Sequence, residues 1–228
     1  MKGWRHSLNA LLYLVKTGCQ WRFLPKEYGN WKTTYSVFWR WRRAGVWKRL
    51  SDGLRERLRL QMNREAQPSV AIIDSQSVKT VQKGRQRGYD AGKKIKGRKR
   101  HIAVDTLGLL LVVVVHSAGI QDRVGARAVL AALYRDTTRL VKVFADGGYT
   151  GQLIDWCRQR FQWTLEVVKR TELHTFKVLP KRWIVERTFS WLNLSRRLSK
   201  DYEINPRHSE TMVYIAMSHL MVKRLARI

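Results

Sequence analysis

Cysteine is nearly absent from this chain. Cys19 and Cys157 stand far apart, with no CxxC or Cys/His spacing. That excludes a sequence-legible zinc site and a disulfide framework, and leaves two lone thiols suited to a reducing compartment. Long apolar runs are missing too. The longest, Leu107 to Val115, is interrupted by Gly108 and falls far short of the ~20 residues a membrane span needs. The N-terminus carries no secretory pattern of basic, apolar and small-residue regions, so a soluble cytoplasmic protein with no membrane association is expected. A GxxxxGK run followed by Ser or Thr is lacking, which excludes a nucleotide-binding loop of that type. There is no internal repeat.

Acidic residues are the scarcest class relative to their counterpart. Against 45 Lys+Arg stand 17 Asp+Glu, a formal net charge of +28. A folded chain this basic repels itself unless a polyanion neutralises it. Ribosome-type binding proteins and basic membrane-surface proteins share such a balance, but the distribution of charge along the chain favours nucleic acid, gripped through its phosphates. A hydrophobic content of 44% supplies a core, so this is no disordered basic tail. The length suits one medium domain with a small appended one.

Residues 1–66 read as basic and helical. Leu8, Leu11, Leu12 and Val15 recur at helical spacing, with Gly18 as a stop. Pro25, Gly29 and Asn30 break the chain before a second helix over Lys32–Arg43, and a third runs from Val46 to about Arg64. Three short basic helices fit a helix-turn-helix-like DNA-binding region, the second or third entering the major groove. Most of the tryptophans here are read as core, and Arg40, Arg42 and Arg43 as DNA-binding.

Gln67-Pro68-Ser69 marks the expected boundary, with a second unit over 69–228. Ser69–Asp74 is a β-branched run ending in an acid, as a buried strand would be. His101–Val104 and Leu109–Val115 form a hairpin about a turn containing Asp105. A helix over Arg123–Arg135 leads to Val141–Asp146, a second strand ending in an acid. Then follow a helix (Gly151–Phe161), a strand (Thr164–Val168) and helices over Lys181–Ser199 and Ser209–Arg224. A crossover through Arg123–Arg135 sets the two acid-ending strands side by side, with both acids at the carboxyl edge where sites of open α/β sheets collect.

Two like carboxylates at one edge are costly unless a cation compensates. Magnesium accepts such hard oxygen ligands together with waters and phosphates. A third acid would come from Lys181–Ser199, where Glu186 shares a face with Arg182, but spacing alone does not choose it over Glu203 or Glu172.

The residues also carry a resemblance. LNALLYLVKTGCQWRFLP at 8–25 and the W-x-T-x-Y-x-x-F-x-R-W pattern at 31–41 are followed by DSQSVKT at 74–80 and GYDAGKKIKGRKRHIAVDTLGLLLVVVVH at 88–116. QDRVGA at 121–126, ADGGYTG at 145–151 and RWIVERTFSWLNLSRRLSKDYE at 182–203 complete the set, in order and with short gaps. The chain resembles the insertion-sequence transposases of family five, in an N-terminally short form, with Leu194 where many relatives have a polar or basic residue. The resemblance implies an α/β, RNase H-like mixed sheet flanked by helices, its first three strands antiparallel and the later ones parallel. It implies a DDE triad of Asp74, Asp146 and Glu186 holding two Mg2+ ions, with Mn2+ able to substitute, and matches Arg182 to the R-x3-E pattern. The implied reaction is cleavage at element ends followed by attack of the freed 3′-hydroxyl on target DNA. Double-stranded DNA (element ends and target), a homodimer or larger synaptic assembly, and nucleoid association when bound follow from the same source.

The segment 82–100 carries nine Lys/Arg among glycines. It reads as a phosphate-gripping loop beside the cut, with Lys93, Lys94, Lys96, Arg98, Lys99, Arg100 and Arg182 as DNA contacts. Asp105 is assigned to a turn, and neither His101 nor His116 to catalysis. The rival readings are an RNase H-like nuclease without strand transfer and a non-catalytic DNA-binding product of a truncated element.

Overall fold

The computed structural model describes residues 3–81, 86–168 and 181–227. Three helices open the chain. α1 (Trp4–Thr17) stops at Gly18, whose φ of 73° is the left-handed geometry that ends helices without strain only at glycine. α2 (Trp31–Arg43) starts at Asn30, whose side chain accepts from the Lys32 amide at 2.9 Å. Ala44-Gly45 turns the chain into α3 (Val46–Gln61).

Six strands make one mixed sheet: β1 (Val70–Lys79), β2 (Gly88–Asp90), β3 (Ile95–Val104), β4 (Leu110–Ser117), β5 (Lys142–Asp146) and β6 (Thr164–Val168). β3 is antiparallel to β1, β2 and β4, whereas β5 is parallel to both β1 and β6. α4 (Asp122–Asp136) crosses over from β4 to β5, and α5 (Leu153–Phe161) joins β5 to β6. α6 (Arg182–Asn193) and α7 (Pro206–Leu225) close the chain, α7 with Pro206 in its first turn after the Asn205 cap.

The sheet is buried on both faces. On one, Ile72, Ile102 and Phe144 pack with α6 and α7, and α1–α3 add Leu11, Leu14, Phe38, Trp47 and Leu58 to the same core. On the other, Ile73, Ala103 and Val143 pack under α4 and α5 through Val129, Leu133 and Cys157. Two cores on opposite faces explain the uninterrupted burial from Arg98 to Val104 along the central strand.

Three expectations are corrected. β1 does not end at Asp74 but runs five residues further, because β3 continues to pair with it from Ile72↔Val104 to Lys79↔Gly97. The basic segment is no continuous loop either. Tyr89 and Asp90 already pair with β3, whose residues from Ile95 belong to the sheet, while 82–85 lie outside the described residues. The expected helix over Lys181–Ser199 ends at Asn193 and is followed by a separate turn, Arg196–Leu198.

Candidate active site

Parallel pairing between β1 and β5 runs from Val70↔Lys142 to Ile72↔Phe144. Extending that register by two residues sets Asp74 opposite Asp146, and the two-residue period turns both toward the face of Ile72 and Phe144. α6 lies over that face, with Ile184 and Val185 in the core beneath it. One small cavity is consequently lined by Asp74, Asp146, Arg182, Val168 and Val185. Asp146 accepts from the Gly148 amide at 2.9 Å, and Asp74 from the Ser75 amide at 2.6 Å.

Burial pushes the Asp74 carboxyl up to about 7, and the charge of Asp146 pushes the same way. The Ser75 amide, Lys93 and Arg182 oppose this without cancelling it. A carboxylate destabilised by burial and by a like neighbour is one that a hard cation would stabilise. The donors present therefore suit magnesium on the Asp74–Asp146 side. Glu186 is placed differently. It sits one helical turn after Arg182 on the same helix, is exposed, and pairs with the Arg182 Nε at 2.9 Å. Among the described residues no three His, Cys, Asp or Glu side chains come together around a point a metal could occupy. Glu172 lies outside the described residues. Glu203 is settled otherwise, engaged by the Arg197 guanidinium at 2.7 Å in the turn after α6.

Beneath the acids, on the α4 side of the sheet, lies a polar network that sequence reasoning missed. Ser75 donates to Asp122 at 2.7 Å, and the Lys99 ammonium reaches the same carboxylate at 2.9 Å. Tyr149, His101 and His116 form a second chain. His116 Nδ1 faces the Ser117 carbonyl at 3.0 Å and must donate to it, so its Nε2 accepts from His101 Nδ1 at 3.4 Å. His101 Nε2 then accepts from the Tyr149 hydroxyl at 2.8 Å. Burial first, and the neighbouring imidazole second, lower His101 to about 3, which keeps it neutral. One signal for this network was legible. Gly125 interrupts a helix where glycine costs about 1 kcal/mol, and a Cβ there would stand 2.5 Å from His116 Nε2.

The basic residues divide. Lys93, Lys94 and Lys96 are exposed around the β2–β3 turn, and the Lys93 ammonium reaches the Ser75 carbonyl at 3.0 Å, beside Asp74. Arg98, Lys99 and Arg100 are buried, which corrects their assignment to DNA. Arg98 pairs with Asp201 at 3.1 Å and donates to the Glu203 and Ile204 carbonyls at 2.7 and 2.6 Å. Arg100 donates to the Leu198 and Lys200 carbonyls, and Lys99 to that of Ile120. These cations satisfy backbone oxygens of irregular segments and, together with the bridge between Asp201 and Thr80, tie 198–204 to the sheet. Arg40 and Arg43 are exposed on α2, with Arg43 over the Trp39 ring at 4.6 Å, and Arg42 is half-buried. Asp105 holds its turn, accepting from the Leu107 and Leu109 amides at 2.9 and 2.8 Å and pairing with Arg59 of α3.

A mixed sheet whose parallel junction carries two carboxylates, overlaid by a helix bearing Arg and Glu, is an RNase H-like core preceded by helices. The chain belongs to the family described as the transposase DDE domain, whose model matches residues 65–221. Residues 2–51 match a second model, described as a putative transposase of the IS4/5 family. A relative, an uncharacterised 16.2 kDa protein of the insertion element IS402 of Burkholderia cepacia, is 36% identical over 86 residues. That match covers 37% of this chain and 57% of the relative's length. Among solved structures, the Mos1 transposase in a paired-end complex with the left transposon end aligns at 12% identity with a TM-score of 0.30, over 96% of this chain and 76% of that one. No helix among the described residues is long and apolar enough to cross a membrane.

Proposed function

We propose that this transposase cuts double-stranded DNA at the ends of an insertion sequence and joins the freed 3′-hydroxyl to target DNA, with Asp74, Asp146 and Glu186 as the acids that hold magnesium. The observation that carries the reading is the one cavity that Arg182 shares with Asp74 and Asp146, two acids that lie two residues beyond the last β1–β5 pair. When bound, two Mg2+ ions (or Mn2+) would activate the attacking oxygen and stabilise the leaving one. The protein's own part is positional. Asp74 and Asp146 are held at a fixed spacing by the sheet, and their amide contacts aim one oxygen of each. Arg182 and Lys93 place positive charge where the phosphodiester must enter.

Glu186 joins the two aspartates by leaving Arg182. An exposed i,i+4 pair is worth only about 0.5 kcal/mol, so an incoming phosphate competes well for the guanidinium. The carboxylate is then released next to the site. Arg40 and Arg43 on α2, with Lys93, Lys94 and Lys96 at the hairpin tip, are assigned to the DNA backbone. Within the helical region 1–66 we assign recognition of element ends to α2, which exposes Arg40 and Arg43, whereas Arg55 and Arg59 of α3 are buried. Residues 69–228 form the catalytic core, and joining two ends to one target calls for a homodimer or larger assembly, nucleoid-associated in the cell.

The test is a magnesium-dependent assay on DNA carrying the flanks of the element, with cleavage and the joining of a pre-cut end scored separately. Asp146→Asn should abolish both while metal-free DNA binding persists. Near-normal joining by Asp146→Asn overturns the assignment. Cleavage by the unmodified protein without joined product selects the nuclease reading instead.

A further inference from the structure

Arg182 borders the acid pair, and the residue after it begins a second feature. Trp183, Arg187 and Trp191 follow one another at intervals of four, along one stripe of α6. The Arg187 guanidinium lies 4.4 Å from the Trp183 ring centre and 4.6 Å from that of Trp191. Arg224 of α7 stacks on Trp191 as well, at 4.1 Å. Aromatic faces hold both guanidiniums in place, Arg187 with one N–H donated to the Leu107 carbonyl at 3.2 Å, which a flexible lysine would not achieve.

Beyond Trp191 the column opens into a groove of 180 Å³ between the end of α6 and α7. Lys16, His219, Lys223, Arg224 and Arg227 line it, and no Asp or Glu among the described residues does. The contrast with other basic hollows decides its meaning. The hollow beside Arg42 and Arg207 includes Glu210, and the one beside Arg59 and Arg139 includes Glu65. Here like charges crowd without an acid between them. Arg187 and Arg224 repel across one indole, and Lys16 and Lys223 both act against protonation of His219. The carboxylate that does act on Arg224, Asp105, is engaged by Arg59.

We propose that this stripe, from Trp183 along α6 into the groove at Arg224 and Lys223, is the track on which the phosphate backbone of the DNA leaves the cleavage site. It deepens the transposase reading, and rests on it only for the identity of the polyanion. A second copy of this chain is a poor occupant, since each copy carries a net charge of +28. At 1.5 Å per residue α6 is ~18 Å long, room for about five nucleotides of one strand at ~3.4 Å each. The stripe begins one residue after Arg182, which lines the cavity of the acid pair, so the occupant is fixed in register with the cut.

The experiment measures metal-free binding of a short duplex against salt. Removing one phosphate-binding cation should reduce the slope by about 0.9. Lys223 and Arg227 are exposed and lie away from the acids. Lys223→Gln with Arg227→Gln should lower the slope by about 1.8. The control removes the same charge from α5, as Arg158→Gln with Arg160→Gln, and should leave the slope nearly unchanged. Trp183→Ala, which removes one of the two rings that hold Arg187, should weaken binding about fivefold, as the loss of ~1 kcal/mol of cation–π stacking implies. Equal effects from the α5 and α7 pairs overturn the track, as does an α7 pair that alters oligomeric state while keeping the slope. Failure of the catalytic reading would appear separately, as activity retained by Asp146→Asn with these slopes intact.

Discussion

The two faces of the sheet at the acid pair are built on opposite terms. Above it, on the α6 side, Asp74 is strained by a like charge, Glu186 is exposed, and the one ion pair is the weak kind a helix surface makes. Below it, Ser75, Asp122, Lys99, His101 and Tyr149 are bonded to one another in the interior. Neighbouring residues of one strand, Asp74 and Ser75, belong to the two regimes. The upper face leaves its charges unbalanced for something that arrives, and the lower face pairs its polar groups within the fold. On the proposed function, the site receives a metal and a polyanion without losing shape, and that needs both.

The sharpest way to break the comparison is to neutralise the upper face. Asp146→Asn should cut cleavage and joining by about three orders of magnitude, the scale of losing metal-based charge stabilisation. The thermal midpoint should fall little or rise. A collapse of folding instead would mean that Asp146 belongs structurally with the lower network.

The lower face should behave in the reverse manner. Tyr149→Phe removes the donor to His101 Nε2 and leaves a buried acceptor unmatched, costing about 1–3 kcal/mol in urea denaturation. Gly125→Ala should destabilise by a similar ~1–3 kcal/mol, because the added methyl meets His116 and this overrides the ~1 kcal/mol gain in helix propensity. A stabilised Gly125→Ala protein would show that the histidine chain has room to move.

Proton linkage gives the two faces opposite slopes. Asp74 is raised from 3.8 to about 7, so the folded state binds its proton first. Its contribution favours folding in acid and is lost as pH rises from about 4 to about 7. His101 is lowered from 6.5 to about 3, so its contribution is present above 6.5 and is lost as pH falls toward 3. In metal-free protein the two partly cancel between pH 4 and 6.5. Asp74→Asn should expose a steeper acid loss, and magnesium should stabilise the unmodified protein most above pH 7. Identical pH profiles for the two proteins would show that Asp74 is not the source of this dependence. The smallest expected effect is that of Glu186→Gln on stability, within ~0.5 kcal/mol, while strand joining falls sharply.

Asp74 and Asp146 were read from a local pattern, a buried strand carrying a carboxylate, and Gly18 and Asn30 marked helix ends locally too, whereas the early end of α6 at Asn193 and the Asn205 cap of α7 were not read. What stayed hidden was set at long range. Nothing in GRKR at 97–100 shows that its cations turn inward, since the partners of Arg98 and Arg100 lie about a hundred residues away at Leu198, Lys200, Asp201 and Ile204, and those of Lys99 at Ile120 and Asp122 on another element. β1 likewise passes Asp74 only because β3 offers it a partner. The Asp122 network escaped because Ser, Tyr and His are unremarkable singly and acquire meaning only when four elements bring them together.

Arg98 and Arg100, by fastening 198–204 to the central strand, fix where the C-terminal end of α6 is held. Any tilt of α6 would therefore have its fulcrum near Asn193. Seven residues at 1.5 Å set Glu186 ~10 Å out along that arm, so a tilt of roughly 15° would carry it roughly 3 Å. Trp191, close to the fulcrum, would hardly travel. A rotation that brought Glu186 toward the aspartates, as the proposed function requires, would leave the stacked end of the helix, and whatever lies on it, in place.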